Sequence, residues 1–110
     1  MLRSIVVAGM VVGLTAVASE AAAQDAAKGQ EVFAAQKCSM CHSVAGKGNP
    51  KGSLDGIAKK FKPAELREWI VNAKVMAEKH NATRKPPMKD FSSLPAADVD
   101  ALVAYLQTLK

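Results

Sequence analysis

The chain has 110 residues, a net charge of +5 at neutral pH and two cysteines. This length accommodates one small domain with a thin hydrophobic core and leaves no room for a second domain. Because the two cysteines lie only three positions apart, a disulfide between them would close a very small loop, which excludes a scaffold stabilised by disulfides.

Residues 1–23 have the features of a secretory signal peptide. Arg3 supplies a positive charge, an uncharged apolar run of fourteen residues extends from Ile5 to Ala18, and Ala21-Ala22-Ala23 matches a small-residue cleavage site. The run is shorter than the ~20 apolar residues that cross a bilayer; an uncleaved anchor and a buried helix are the alternatives. We therefore predict an exported, periplasmic protein whose mature domain comprises residues 24–110.

The mature domain is predicted to contain three main helices. The first begins at Asp25 as N-cap and extends to Lys37, the second begins at Pro63, and the third begins at Pro95. Each has apolar or small residues with helical spacing on one face. These stripes are Gly29, Val32, Phe33 and Gln36 in the first helix, Leu66, Trp69, Ile70, Ala73 and Ala77 in the second, and Val99, Leu102, Val103, Leu106 and Leu109 in the third.

Two segments between the helices, residues 43–62 and 80–91, are rich in glycine or proline and are predicted to be irregular. A short helical turn is expected over Leu54–Phe61. No segment alternates polar and apolar residues with period two, so no strand is predicted and the fold class is all-α. Long irregular segments are unusual in a compact domain. They become understandable if they surround a bulky internal cofactor.

The segment Lys37–His42, KCSMCH, contains both cysteines and one of the two histidines. The spacing Cys38-x-x-Cys41-His42 is the attachment signature of c-type haem. Two thiols one turn apart can add to the two vinyl groups on one porphyrin edge, which places the histidine under the iron. Two alternatives are open. A redox dithiol is typical of a βαβ context, which this sequence lacks. A zinc site could be completed by His80, but the sequence has no second clustered pair of ligands.

Four residues are candidates for a second axial ligand of the iron. Met40 lies inside the attachment segment, Met76 lies in a predicted helix where a packing role is favoured, and His80 has polar neighbours. Met88 follows Pro86-Pro87, which stiffen the chain and can hold a thioether in place. From the residues alone, Met88 is favoured, and His80, Met76 and an open position remain alternatives.

The positive charge is concentrated in two segments, which we call the basic loops. Residues 43–62 contain five lysines and one aspartate, and residues 79–90 contain four basic residues and one aspartate. Such loops indicate electrostatic steering of an acidic protein partner. Export argues against a nucleic-acid partner, as does the scarcity of aromatic residues among these lysines, where Phe61 is the single example.

Taken together, several motifs resemble the small class I c-type cytochromes, over nearly all of residues 24–110. They are CSMCH, Pro50 in a glycine-rich loop, LREWI in the middle helix, KPPM before the last helix and VDALVAYLQTL at the end. The resemblance implies a cytochrome c-like fold of three main helices and long loops around one covalently bound haem c. The sequence departs from the family pattern in a longer stretch from Asn72 to Lys85.

The resemblance also implies roles for individual residues. Cys38 and Cys41 would form the two thioether bonds to haem, and His42 and Met88 would be the proximal and distal iron ligands. The Pro50 carbonyl would hold the free ring nitrogen of His42. In addition, the haem pocket would include Trp69, whose indole N–H needs an acceptor such as a haem propionate or a loop carbonyl. Gly29 and Phe33 would meet Tyr105.

The implied function is that of an exported monohaem one-electron carrier, a monomer without a membrane span in the mature chain. With both axial positions filled, the iron has no vacant site, so an electron carrier is expected rather than an enzyme, although a peroxidase-like activity stays open. The expected partners are redox proteins with acidic docking faces, bound transiently. The alternatives are a haem subunit of a larger oxidoreductase and a small haem enzyme or gas-binding protein with a displaceable sixth ligand.

Overall fold

The computed structural model describes Gly9 and residues 15–110. Within these residues the chain forms five α-helices and a short β-hairpin. In order they are α1 (Thr15–Ala35), β1 (Ser43–Val44), β2 (Lys47–Gly48), α2 (Ile57–Lys60), α3 (Pro63–Val71), α4 (Ala73–Lys79) and α5 (Ala96–Gln107), with two 3-10 turns at Cys38–Met40 and Pro50–Gly52. The predicted all-α fold is confirmed. Most of the predicted signal peptide, at residues 1–8 and 10–14, lies outside the described residues.

The hydrophobic core lies where α1, α3 and α5 meet. The most extensive helix contact among the described residues is between α1 and α5. The core consists largely of the stripes predicted for the three main helices, namely Val32, Leu66, Ile70, Val99, Leu102, Val103 and Leu106. Helical periodicity therefore identified most of the core correctly.

Helices α1 and α5 cross at Gly29. A Cβ at this position would overlap the Ala101 carbonyl oxygen and the Tyr105 Cβ, so the two backbones are in direct contact. One turn further along α1, Phe33 packs edge-to-face on Tyr105, with ring centroids 5.6 Å apart. The expected contact of Gly29 and Phe33 with Tyr105 is confirmed. It fixes the end of α1 from which the cysteine segment leaves.

Helix α1 is longer at its start than predicted. It begins at Thr15 rather than after an N-cap at Asp25, and it ends at Ala35. The alanine-rich sequence before Asp25 has a high helix propensity, which here overrides the capping signal. Lys37, with a φ of 57°, redirects the chain at the other end. None of the helices in residues 15–110 combines the length and apolar character that crossing a membrane requires.

The middle helix predicted as one continuous element is divided into α3 and α4 at Asn72, where φ is −130° and ψ is 47°. In an unbroken helix the Lys74 amide would donate to the Ile70 carbonyl. Instead, the Lys74 amide donates to the Asp90 carboxylate (3.1 Å), and the Ile70 carbonyl accepts from the Phe91 amide (2.8 Å). The loop that follows α4 thus replaces a helical hydrogen bond, and the prediction of one helix was wrong.

Residues 43–48 form a hairpin that the sequence did not predict. Ser43 pairs with Gly48 and Val44 pairs with Lys47. Ala45 and Gly46 at the tip both have positive φ, 51° and 80°, as in the type I′ turns that suit tight hairpins. Strands of two residues are too short to show a period-two pattern, which is why the prediction of no strand was wrong. The short helical turn expected near residues 54–61 is confirmed as α2.

Candidate functional site

Both cysteines lie in the segment that follows α1, which begins with the first 3-10 turn and which we call the attachment turn (residues 38–42). The amides of Cys41 and His42 both donate to the Cys38 carbonyl, at 3.2 and 2.9 Å. Cys38 is half-buried, Cys41 is exposed, and both thiols are free. The turn therefore holds two thiols and one imidazole on a single short segment whose conformation is set locally.

His42 is oriented by the second 3-10 turn. Its Nδ1 lies 3.0 Å from the Gly52 carbonyl oxygen. A carbonyl oxygen can only accept, so Nδ1 donates, and in the neutral ring Nε2 then carries no proton and is available to bind a metal. The sequence assigned this role to the Pro50 carbonyl, and the structure corrects the residue to Gly52. Because Gly52 has no Cβ, its backbone comes directly against the Cys41 carbonyl and brings its own carbonyl within reach of the ring.

Gly52 also contacts the loop that carries Met88, which we call the methionine loop (residues 80–90). A Cβ on Gly52 would overlap both the Cys41 carbonyl oxygen and the Arg84 guanidinium. Arg84 donates through Nη1 to the Cys41 carbonyl at 2.5 Å, a contact between residues 43 positions apart. The attachment turn, the second 3-10 turn and the methionine loop thus meet at one point.

The environment favours a neutral imidazole and a neutral thiol. Burial lowers the pKa of His42; the hydrogen bond to Gly52 opposes this effect, and the Arg84 guanidinium adds to it. Burial raises the pKa of the Cys38 thiol, an effect that the charge of Lys89 partly counters. Because metal binding requires an unprotonated imidazole nitrogen, His42 stays competent as a ligand to a lower pH than an ordinary histidine.

The candidates for a second axial ligand occupy different environments. Met88 is half-buried in the methionine loop. Met76 is buried in α4, and the Met40 side chain is 69% exposed. His80 is exposed and stacks on Trp69, with ring centroids 5.6 Å apart. The assignment of Met88 as a ligand stays a prediction, with His80 and Met76 as the alternatives.

Trp69 lies in an aromatic cluster with Phe61 and His80. Its ring centroid is 6.0 Å from that of Phe61, and the His80 ring lies 5.3 Å from Phe61. The Trp69 Nε1 atom is buried and has no hydrogen-bond partner among the described residues. Leaving a buried donor unpaired costs about 1–3 kcal/mol. An acceptor is therefore expected at this position, as the sequence predicted for a haem propionate or a loop carbonyl.

These features fit a covalently attached haem. The attachment turn presents two thiols, His42 has a free Nε2, and Trp69 has an unpaired donor that a carboxylate would satisfy. In residues 15–110 no group of three or more histidine, cysteine, aspartate and glutamate side chains is arranged to hold a metal ion.

Sequence reasoning missed two residues of this site, Gly52 and Arg84. Gly52 follows Pro50 closely in a glycine-rich segment, and that position was the available signal. Arg84 resembles any other surface cation in the second basic loop, because its contact with Cys41 depends on how distant parts of the chain fold together.

Comparison with known protein families gives one match. A family model described as Cytochrome c matches residues 26–110, a range that includes every predicted site residue. No curated protein and no solved structure matches the chain. The match begins close to Gln24, the predicted first residue of the mature domain.

Proposed function

The chain belongs to the cytochrome c family, which binds haem c covalently, and from this premise we propose that it is an exported one-electron carrier. Haem c, when bound, supplies reversible one-electron chemistry through its iron. The observation that carries the proposal is the attachment turn, where Cys38, Cys41 and the oriented ring of His42 lie together.

In this proposal the chain holds the haem at four points. Cys38 and Cys41 would form the thioether bonds, and His42, through Nε2, and Met88, through its thioether sulfur, would bind the iron. A thioether ligand and apolar burial both favour Fe(II) and raise the reduction potential. Because side chains then fill both axial positions, an exogenous substrate has no coordination position, which supports a carrier rather than an enzyme.

Two further residues complete the proposed pocket. Trp69 donates through Nε1 to a haem carboxylate, which satisfies its buried N–H. The second 3-10 turn, which begins at Pro50, supplies through Gly52 the carbonyl that fixes the His42 tautomer. A ligand held in one tautomer and orientation undergoes little rearrangement when the charge on the iron changes.

We propose that an acidic redox partner docks at the attachment turn. Lys47 and Lys51 flank Asn49, whose side-chain amide donates to the Met40 carbonyl at 3.2 Å. The second basic loop reaches the same turn through Arg84. Both basic loops therefore contact the attachment turn, and the positive charge that they carry suits a transient complex with an acidic face and a monomeric carrier.

Export with removal of residues 1–23 remains part of the proposal, and the periplasm is the proposed compartment. The sequence features of a signal peptide support it. Residues 21–25 of α1 are exposed, and the first buried residue in the described part of this helix is Gly29. Cleavage after Ala23 would therefore leave the contact between α1 and α5 in place.

Visible and near-infrared spectra of the purified protein test this function. We expect a haem that acidified organic solvent does not extract, a thioether-to-ferric-iron charge-transfer band in the oxidised form, and no carbon monoxide binding in the reduced form. A missing band together with rapid carbon monoxide binding would favour a haem enzyme or gas-binding protein. Co-elution with a large complex in gel filtration of native extract would favour a subunit of an oxidoreductase.

A further inference from the structure

The methionine loop is attached to the rest of the molecule mainly at its ends. Near its start the Ala82 amide donates to the Ala77 carbonyl (2.8 Å), and just beyond its end the Phe91 amide donates to the Ile70 carbonyl (2.8 Å). Between these two amides, in the part of the chain that the structure describes, no backbone amide makes a hydrogen bond to another backbone group. A segment with so few backbone hydrogen bonds opens at low free-energy cost unless side chains hold it.

Arg84 supplies such a side-chain contact. Its Nη1 donates to the Cys41 carbonyl at 2.5 Å, and its guanidinium lies against the backbone of Gly52, where a Cβ would overlap it. The Gly52 carbonyl in turn binds the Nδ1 of His42 at 3.0 Å. Arg84 therefore joins the segment that carries one proposed ligand, Met88, to both segments that hold the other.

A planar guanidinium suits this position. It has five N–H donors in a rigid arrangement and keeps its charge at every physiological pH. A hydrogen bond from a charged donor to a carbonyl is stronger than one between neutral groups.

We propose that Arg84 is a positioning residue, which fastens the methionine loop to the attachment turn and so keeps Met88 on the iron. The proposal rests on the proposed function, because it takes Met88 as the second axial ligand. Its role is indirect, since Arg84 acts by raising the free-energy cost of opening the loop. Loss of the contact should make Met88 easier to displace without removing either ligand.

Competition with imidazole tests this role. Imidazole is titrated into the oxidised holoprotein, and displacement of Met88 is followed by loss of the charge-transfer band. In this exchange the bond from iron to the Met88 sulfur breaks, a bond from iron to an imidazole nitrogen forms, and no electron is transferred. We expect Arg84→Gln to raise the apparent imidazole affinity about tenfold, because this change corresponds to the loss of one hydrogen bond from a charged donor.

Two further variants separate the contact from the charge. Lys85→Gln removes the same charge from the neighbouring exposed position in the same loop, and we expect its imidazole affinity to stay within about twofold of the unmodified protein. Arg84→Lys keeps the charge and can donate one hydrogen bond, so we expect partial rescue, with an increase of about threefold. Far-ultraviolet circular dichroism should give the same helix content for all three variants.

Equal imidazole affinities in Arg84→Gln and Lys85→Gln would overturn the role of Arg84. If Arg84→Gln does not accumulate as a haem protein, Arg84→Lys is compared with Lys85→Gln: a higher affinity in Arg84→Lys supports the role, and equal affinities overturn it. A charge-transfer band that is missing from the unmodified protein would instead overturn the assignment of Met88, and the role of Arg84 with it.

Discussion

Individual polar groups of the site are oriented toward a partner that the chain does not supply. His42 uses Nδ1 to bond with Gly52 and keeps Nε2 free, while Trp69 buries an N–H that no described residue accepts. A protein interior normally pairs such groups, because each unpaired one lowers the free energy of unfolding. A haem with an iron centre and two carboxylates would pair both of them. The two residues therefore support the same cofactor independently of the cysteines.

At the level of single residues, the assignment of Met88 as an iron ligand gives a direct prediction. Replacing Met88 with Ala removes the thioether, so the charge-transfer band should disappear and the reduced protein should bind carbon monoxide. The reduction potential should fall by roughly 0.1 V or more, within the ~0.8 V range that axial ligands cover. Spectroscopy and potentiometry measure these changes.

The matched control is Met40→Ala, which removes an exposed methionine from the attachment turn. This variant should keep the band and a potential close to that of the unmodified protein. An unchanged spectrum in Met88→Ala would move the assignment to Met76 or His80.

The cysteines and His42 were predictable because a short motif defines them and their geometry is local. The carbonyl that binds His42 was predicted two residues too early, at Pro50. The error has a physical cause. The carbonyl that reaches the His42 ring is decided by how closely the 3-10 turn approaches the attachment turn, and Gly52 permits a close approach because it has no side chain. A sequence pattern does not contain such a distance.

Among the secondary-structure elements, the pair α1 and α5 positions the site. The attachment turn begins directly after α1, so the angle at which α1 crosses α5 decides where both thiols lie. The close approach at Gly29 sets that crossing, and the packing of Phe33 on Tyr105 reinforces it. The helix contact that forms much of the core therefore also places the cofactor segment.

We predict that Gly29→Ala lowers the free energy of unfolding. Alanine improves helix propensity by about 1 kcal/mol, but its Cβ would overlap the Ala101 carbonyl, and such overpacking costs about 1–3 kcal/mol. The net effect should be a destabilisation of up to about 2 kcal/mol, measured by chemical denaturation. Gln30→Ala, at an exposed position on the same helix, should change stability by less than about 0.5 kcal/mol. A Gly29→Ala variant that is more stable than the unmodified protein would show that the helices do not cross so closely.

Helices α1 and α5 were predictable in type and buried face because each has a regular apolar stripe. The division of the middle helix at Asn72 was not, since it depends on Asp90 and Phe91 taking over hydrogen bonds from residues some twenty positions earlier. Long-range competition of this kind overrides local propensity, and a single sequence gives no measure of it. The hairpin escaped prediction for the opposite reason, because its strands are too short to carry a pattern.

For the molecule as a whole, the interior of the protein is thin. No large side chain among the described residues is fully buried, and small domains with a limited core commonly need a cofactor or other internal staple. The long irregular segments that surround the attachment turn would then pack on the haem. The cofactor would thus contribute to folding as well as to electron transfer.

Replacing both Cys38 and Cys41 with Ser tests this contribution. The exported product should be colourless, should lose most of its helical circular dichroism and should unfold without a cooperative transition. Ser39→Ala, a change at an exposed position of the same turn, should keep the haem and the helical signal. A compact, cooperatively folded product without haem would show that the polypeptide core is sufficient.

The distribution of charge over the whole surface predicts how the protein meets its partner. The two basic loops supply most of the positive charge, and Lys47 and Lys51 flank the contact between Asn49 and the attachment turn. Raising the ionic strength from about 0.01 to 0.15 M shortens the screening length from about 30 to 8 Å. Stopped-flow oxidation by an acidic redox protein should therefore slow about tenfold over this range.

Charge variants locate the surface that is responsible. Lys47→Gln combined with Lys51→Gln should reduce both the rate at low salt and its dependence on salt, because steering depends on charge close to the docking site. Lys28→Gln combined with Lys110→Gln removes the same number of charges outside the basic loops and should leave the salt dependence nearly unchanged. Equal effects of the two pairs would mean that net charge alone attracts the partner. A rate independent of salt would mean that the docking face on the partner is not acidic.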